Sequence, residues 1–258
     1  MRSRDRVPSV PAGYTRFEAV GAEVVARETH AGAVRRAMDG SSLYAFAARH
    51  PARRGLRGRG AAYAVPLPDS EMRVVVRHSR HGGFLAPVTG DRFLAPTRAP
   101  HELATSLRLS SAGVATPELI AYAIYRAGGP FRRADVATRE VPGGRDLADL
   151  LADAQARRDL VGVFAATARL LGALARAGAR HPDLNAANVL LASGDDGAHR
   201  AYVLDVDRVT FGTPNDAVIA TRNFERLARS LRKLRASGRV ALSDAELSAL
   251  GTAAGQAA

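Results

Sequence analysis

His181-Pro182-Asp183-Leu184-Asn185-Ala186-Ala187-Asn188, followed after the apolar run Tyr202-Val203-Leu204 by Asp205, decides how the rest of the chain is read. An Asp, an Asn five positions later and a second Asp at the end of a strand form the constellation that phosphoryl transfer requires. Asp183 is placed to accept the proton of an attacking hydroxyl. Asn188 and Asp205 are placed to hold a cation against nucleotide phosphates. Carboxylate and amide oxygens are hard ligands, which points to Mg²⁺ rather than a soft metal. Asp207 competes with Asp205 for that role, and Asp205 is preferred because it follows the apolar strand directly.

Such a reaction also needs a cover for the phosphates, a cation on them and a carboxylate to aim that cation. Gly58-Arg59-Gly60-Ala61-Ala62-Tyr63 has the spacing of a glycine-rich loop, with Tyr63 where a third glycine usually sits. Gly58 and Gly60 would let the backbone approach phosphates closely. Met72-Arg73-Val74-Val75-Val76-Arg77 reads as a strand ending in a cation. Glu102, on the helix expected at 101–109, is the candidate partner of Arg77.

The surrounding pattern sorts by position. Strands are expected within 17–29, at 72–77, 117–125 and 133–141, the last two joined by Gly128-Gly129-Pro130. Short helices are expected at 32–38, 43–49 and 146–151, and a Gly/Arg-rich turn over 53–60. Past Pro142-Gly143-Gly144 the apolar period becomes helical. A helix over 154–177 carries Leu160, Val161, Phe164, Ala168, Leu171, Leu174 and Ala175 on one stripe and stops at Gly178. Another over 222–235 carries Phe224, Leu227, Ala228, Leu231 and Leu234, with Arg226, Arg229, Arg232, Lys233 and Arg235 on its remaining surface. The expected fold is α+β and two-lobed, with a hinge and a cleft. Residues 1–16 are expected to form a flexible tail, 17–141 an N-lobe of sheet and helix over the nucleotide, and 142–258 a C-lobe with the catalytic loop, the metal site and the basic helix.

Composition narrows the classes. The chain has 258 residues, 47% of them apolar, enough to bury a core. It has no cysteine, which excludes disulfides and thiolate metal sites. The Arg-rich start lacks the apolar core of a signal peptide, and no run reaches the roughly 18 apolar residues of a membrane span. The charge of +12 is localised: residues 1–60 hold 12 Arg against 5 acids, and residues 222–239 hold 7 basic residues against Glu225. Basic patches attract anionic lipid, nucleic acid or polyanionic substrates. Equally, an Arg-favouring genome explains a chain with one lysine, Lys233. Nucleic acid is not the expected partner, since aromatics are only 5% and no stacking platform is visible.

Taken with Val76-Arg77-His78, Arg80-His81-Gly82-Gly83, Gly90-Asp91-Arg92-Phe93-Leu94, Asp205-Val206-Asp207-Arg208 and Arg229-Ser230-Leu231-Arg232-Lys233, the chain resembles the bacterial lipopolysaccharide core kinases of the Kdo (3-deoxy-D-manno-octulosonic acid) kinase group. These lie within the eukaryotic-protein-kinase-like superfamily, and the likeness runs from about Phe17 to Leu234. The resemblance implies ATP-dependent phosphorylation of a Kdo hydroxyl on the lipid A–core precursor, by an enzyme peripheral to the cytoplasmic face of the inner membrane. It implies Asp183 as base, Asn188 and Asp205 as Mg²⁺ ligands, Arg77 on the phosphates with Glu102 behind it, and Glu140 and Val141 offering backbone groups to adenine. The partners are then an anionic glycolipid and an anionic membrane surface, with no protein partner expected. His78 to Gly83 offers a basic turn for substrate anions. Two departures stand out: Pro182 rigidifies the catalytic turn and removes an N–H, and Tyr63 narrows the glycine loop.

Other readings stay open. A protein substrate is disfavoured because no Ala-Pro-Glu-like segment follows Asp205. An aminoglycoside-type or other small-molecule kinase would use the same loop, though an aminoglycoside pocket is normally acidic. A nucleotide-binding pseudokinase scaffold is the non-enzymatic alternative, against which Asp183, Asn188 and Asp205 are all present.

Overall fold

Val74 and Val76 alternate with Arg73, Val75 and Arg77, and that period of two places the first pair on a buried face of a strand, each fully buried. In the computed structural model, which describes residues 9–56, 62–79, 93–94, 97–194 and 197–257, this strand (β5, Arg73–His78) lies in an eight-stranded antiparallel sheet. The other strands are β1 (Tyr14–Ala19), β2 (Ala22–Arg27), β3 (Arg54–Leu56), β4 (Ala62–Pro66), β6 (Phe93–Leu94), β7 (Leu119–Arg126) and β8 (Phe131–Arg139). The order is β1-β2-β7-β8-β5-β4-β3, with β6 also on β8.

The chain divides into two compact units. The first comprises residues 1–104 and 118–140, the second 105–117 and 141–258. The division falls inside the helix α3 (Ala99–Ser111) and again after Glu140. In the first unit, α1 (Ala31–Ala37) and α2 (Leu43–Arg49) pack on the sheet, burying Val34, Met38 and Leu43 with Val24, Val65, Val74, Val76 and Ile120. Ser42 caps α2 by accepting a hydrogen bond from the Ala45 N–H.

The second unit holds α4 (Leu147–Ala152), α5 (Leu160–Arg176), α6 (Ala217–Ala236) and α7 (Asp244–Ala257) around a core of Leu147, Val163, Leu171, Leu174, Leu184, Leu227, Leu231 and Leu250. It is not purely helical. Short strands β9 (Arg145–Asp146), β10 (Ala179–Arg180), β11 (Val189–Ser193), β12 (His199–Val203) and β13 (Thr210–Phe211) form a three-stranded and a two-stranded sheet.

Several boundaries differ from the pattern reading. The long helix starts at Leu160, not 154, because the Asp159 carboxylate accepts from the Gly162 N–H and caps it there. Val161, expected on its apolar stripe, is 84% exposed. The stop at Gly178 holds: its φ of +61° suits glycine, and a Cβ there would crowd the Gly212 carbonyl. The basic helix begins at Ala217, five residues early, where Asp216 caps it through the Val218 N–H. Residues 54–56, expected in a turn, form an edge strand on β4.

Candidate active site

The candidate catalytic segment is built by alternating burial. Leu184 is fully buried and pins the loop to the core, while Asp183 stays half-exposed. Asn185 caps the 3₁₀ turn Ala186–Asn188, its Oδ1 accepting from the Ala187 and Asn188 N–H groups at 3.0 and 3.2 Å. The Asn188 amide donates to the Asp183 backbone carbonyl at 2.8 Å, and the Asn185 amide does so at 3.2 Å. Two side-chain amides therefore fix the peptide that follows the expected base.

His181 is 2% exposed and supplies the frame. Its Nδ1 accepts from the Asp183 N–H at 3.2 Å, so the ring proton sits on Nε2, which donates to the Leu204 carbonyl at 2.9 Å. Leu204 in turn donates its N–H to the Asn188 carbonyl at 2.9 Å. One residue, Leu204, thus ties both ends of the loop to the position preceding Asp205. Asp205 itself is exposed, with a left-handed backbone, φ +57°. That conformation is uncommon outside glycine, and Asp tolerates it better than most residues.

Beneath the loop runs α6. Asn223, 1% exposed, accepts from the His181 N–H at 3.0 Å and donates to the Ala179 carbonyl at 2.8 Å. Arg226 donates from Nη2 to Asp183 Oδ1 at 2.5 Å and from Nε to the Pro182 carbonyl at 3.3 Å. Ser230 Oγ accepts from the Ala186 N–H at 3.1 Å. Spaced three and four residues apart, the three lie on one helix face. None was singled out from sequence, where Arg226 belonged to the helix's charged outer surface. The signal was there: polar residues at 223, 226 and 230 flank the buried stripe of Leu227 and Leu231.

In the first unit, Arg77 and Glu102 meet as expected. Nη2 lies 2.5 Å from Oε1, and the Glu102 side chain is only 6% exposed. Strand alternation turns Arg77 away from the valine-lined core face, while its neighbour His78 lies opposite Asp135 across the sheet. His78 bonds the fully buried Asp135 at 2.5 Å and stacks on Tyr44 at 3.6 Å, so its ring is tied into the fold. Burial and the Asp135 charge together push the Tyr125 hydroxyl well above its ordinary range. Gly58, Gly60 and the Arg80 to Gly83 turn lie outside the described residues.

Glu140 has a structural task that the sequence did not disclose. Its carboxylate holds Arg54 and Arg73, and its N–H donates to the Arg73 carbonyl at 2.9 Å. The Val141 carbonyl accepts from the Gly144 N–H at 3.1 Å.

Residues 48–253 match the lipopolysaccharide kinase (Kdo/WaaP) family. The chain belongs to that family. It is 35% identical to a 3-deoxy-D-manno-octulosonic acid kinase of Xanthomonas oryzae pv. oryzae (strain PXO99A) over 185 residues, covering 69% of this chain and 68% of that one. It is 34% identical to the same-named kinase of Stenotrophomonas maltophilia (strain K279a) over 189 residues, 70% of each chain. Among solved structures, WaaP in complex with acyl carrier protein shares the fold, with a TM-score of 0.54 at 18% identity over 90% of this chain and 88% of that chain. As a Kdo/WaaP-family member the chain is a two-lobed, kinase-like α+β phosphotransferase that takes an alcohol acceptor, and ATP is the family's phosphoryl donor.

For Mg²⁺ the donor set fits. With its amide nitrogen spent on Asp183, Asn188 keeps its Oδ1 lone pairs, and the Asp205 carboxylate has no hydrogen bond or ion pair among the described residues. Two hard oxygens suffice for an ion that draws its remaining ligands from phosphates and water.

Proposed function

We propose that this kinase transfers the γ-phosphoryl group of ATP to a hydroxyl of 3-deoxy-D-manno-octulosonic acid in a lipid A–core acceptor during lipopolysaccharide core assembly. The observation that carries the reading is Asp183, held by His181, Asn185, Asn188 and Arg226 and still accessible. The curated relatives' shared name supplies the acceptor.

Asp183 takes the proton of the acceptor hydroxyl as the oxygen bonds phosphorus, and ADP leaves. Asp183 Oδ1 is occupied by Arg226, so Oδ2 is the atom that receives the proton. Asn188 and Asp205 would hold Mg²⁺, which when bound neutralises charge on the transferring phosphates. Arg77, aimed by Glu102, grips the nonreacting phosphates, and Glu140 and Val141 address adenine; Gly58 and Gly60, outside the described residues, are the candidates for the phosphate cover. We read the first unit as the nucleotide-covering half and the second as the catalytic half. No described helix is long and apolar enough to cross a membrane. The enzyme works at the cytoplasmic face of the inner membrane, drawn there by its basic segments at about 1 kcal/mol per well-placed Arg.

The test is incubation with Mg²⁺, γ-labelled ATP and Kdo-lipid A beside an aminoglycoside and a protein panel. Label on the glycolipid alone supports the reading. Nucleotide binding with no transfer to the glycolipid refutes the acceptor assignment.

A further inference from the structure

Directly beside the catalytic loop, the second unit opens a polar pocket of about 280 Å³ walled by His181, Pro182 and four arginines, Arg180, Arg222, Arg226 and Arg229. Its size approaches the ~300 Å³ at which small-ligand sites begin. Glu225 is the single carboxylate in the lining. Arg226 is engaged with Asp183, whereas Arg180, Arg222 and Arg229 are exposed and have no carboxylate partner among the described residues. Gathering four guanidinium groups around one concavity is unfavourable unless an anion compensates, and guanidinium is the side chain best shaped to take a carboxylate or phosphate by paired hydrogen bonds.

The geometry points to an acceptor-anion subsite: we propose that Arg180, Arg222 and Arg229 bind an acidic group of the acceptor, carboxylate or phosphate, while Arg226 spans that pocket and the base. This inference rests on the sugar-kinase reading and deepens it. Arg226 reaches both the Pro182 carbonyl and Asp183 Oδ1, so an anion seated in the pocket lies one side chain from the atom that must meet the hydroxyl. Acceptors without a negative charge near the reacting hydroxyl lose that registration. The basic character of this helix face is then a selectivity device for anionic sugars and not only a lure for membranes.

Acceptor kinetics on the full chain test it, with Arg222→Ala/Arg229→Ala as the probe and Arg158→Ala, exposed outside both the pocket and the basic segments, as the control. The double variant raises the acceptor KM at least tenfold, with kcat within about threefold and the ATP KM unchanged; the control matches wild type. Wild type shows the same KM penalty on acceptor whose Kdo carboxyl is methyl-esterified, or else on acceptor with dephosphorylated lipid A, which names the anion. A double-variant KM within twofold of wild type overturns the subsite. So does an unchanged KM for an acyl-free, water-soluble acceptor when sedimentation with anionic phospholipid vesicles is lost, because the pocket then serves the membrane. Should wild type transfer nothing to any Kdo acceptor, the functional reading fails on its own. The pocket is then judged by calorimetric titration with free Kdo and inorganic phosphate. Saturable binding lost in the double variant upholds an anion site, and no binding refutes it.

Discussion

Two arginine–carboxylate pairs of equal length, each 2.5 Å, sit in different settings. Arg77 meets Glu102 where the carboxylate side chain is 6% exposed, and Arg226 meets Asp183 where it is 27% exposed. The first joins a strand to a helix. The second joins a helix to a loop whose carboxylate, the proposed base, stays partly open to solvent. A buried carboxylate stripped of its partner keeps its full desolvation penalty, whereas an accessible one recovers water. The same chemical contact therefore stabilises the fold in one place and, on the proposed mechanism, positions the base in the other.

Mutations that separate these roles test the comparison. The largest effect is expected for Asp183→Asn, which lowers turnover by roughly 10²–10⁴ while ATP affinity, read by titration calorimetry, stays within a few-fold. Retained turnover in that variant would remove the base from the mechanism. Arg77→Met is expected to cost about 2–3 kcal/mol in denaturant titration, because Glu102 is left buried, and to weaken ATP binding as well. Arg226→Ala should show the converse. Stability falls by under ~1 kcal/mol, since the pair is partly solvated, yet kcat drops some tenfold or more with ATP affinity unchanged, and Arg226→Lys restores part of it. Equal destabilisation by the two arginine variants would erase the distinction.

The smallest effect concerns Tyr14, whose hydroxyl donates to the Leu119 carbonyl at 2.6 Å and whose pKa burial pushes up to about 12. Between pH 10 and that value the unfolded chain sheds a proton that the folded chain keeps, so stability falls as pH rises. Tyr14→Phe should cost about 1 kcal/mol at neutral pH and flatten that alkaline decline, as read by thermal melts across pH 9–12.

What could be read in advance followed distance along the chain. Residues 181–188 with Asp205 could be singled out as candidates because their spacing is local, and Arg77 because strand alternation is local. The family resemblance extended that reading from about Phe17 to Leu234. The three tethers from Asn223, Arg226 and Ser230 were not seen, since each spans more than forty residues and depends on how α6 packs. Glu140 was read for its backbone, while its carboxylate anchors two arginines. The helix α7 was missed despite a local signature. Ser243 and Glu246 cap each other reciprocally: the Ser243 N–H donates to Oε2 at 2.6 Å, and Ser243 Oγ accepts from the Glu246 N–H at 3.1 Å. Small, weakly periodic residues such as Ala249, Ala253 and Ala254 hid the helix behind that box.

The clasp on the catalytic loop also bears on the order of synthesis. His181 to Asn188 leaves the ribosome some forty residues before Ser230 does, and at ~5–20 residues per second that is an interval of seconds. Until Asn223, Arg226 and Ser230 emerge, the His181 and Ala186 N–H groups lack their partners and Asp183 lacks its guanidinium. A nascent chain can therefore complete its sheet unit well before the loop of the proposed base acquires its clasp, which arrives late in translation with the helix that holds it.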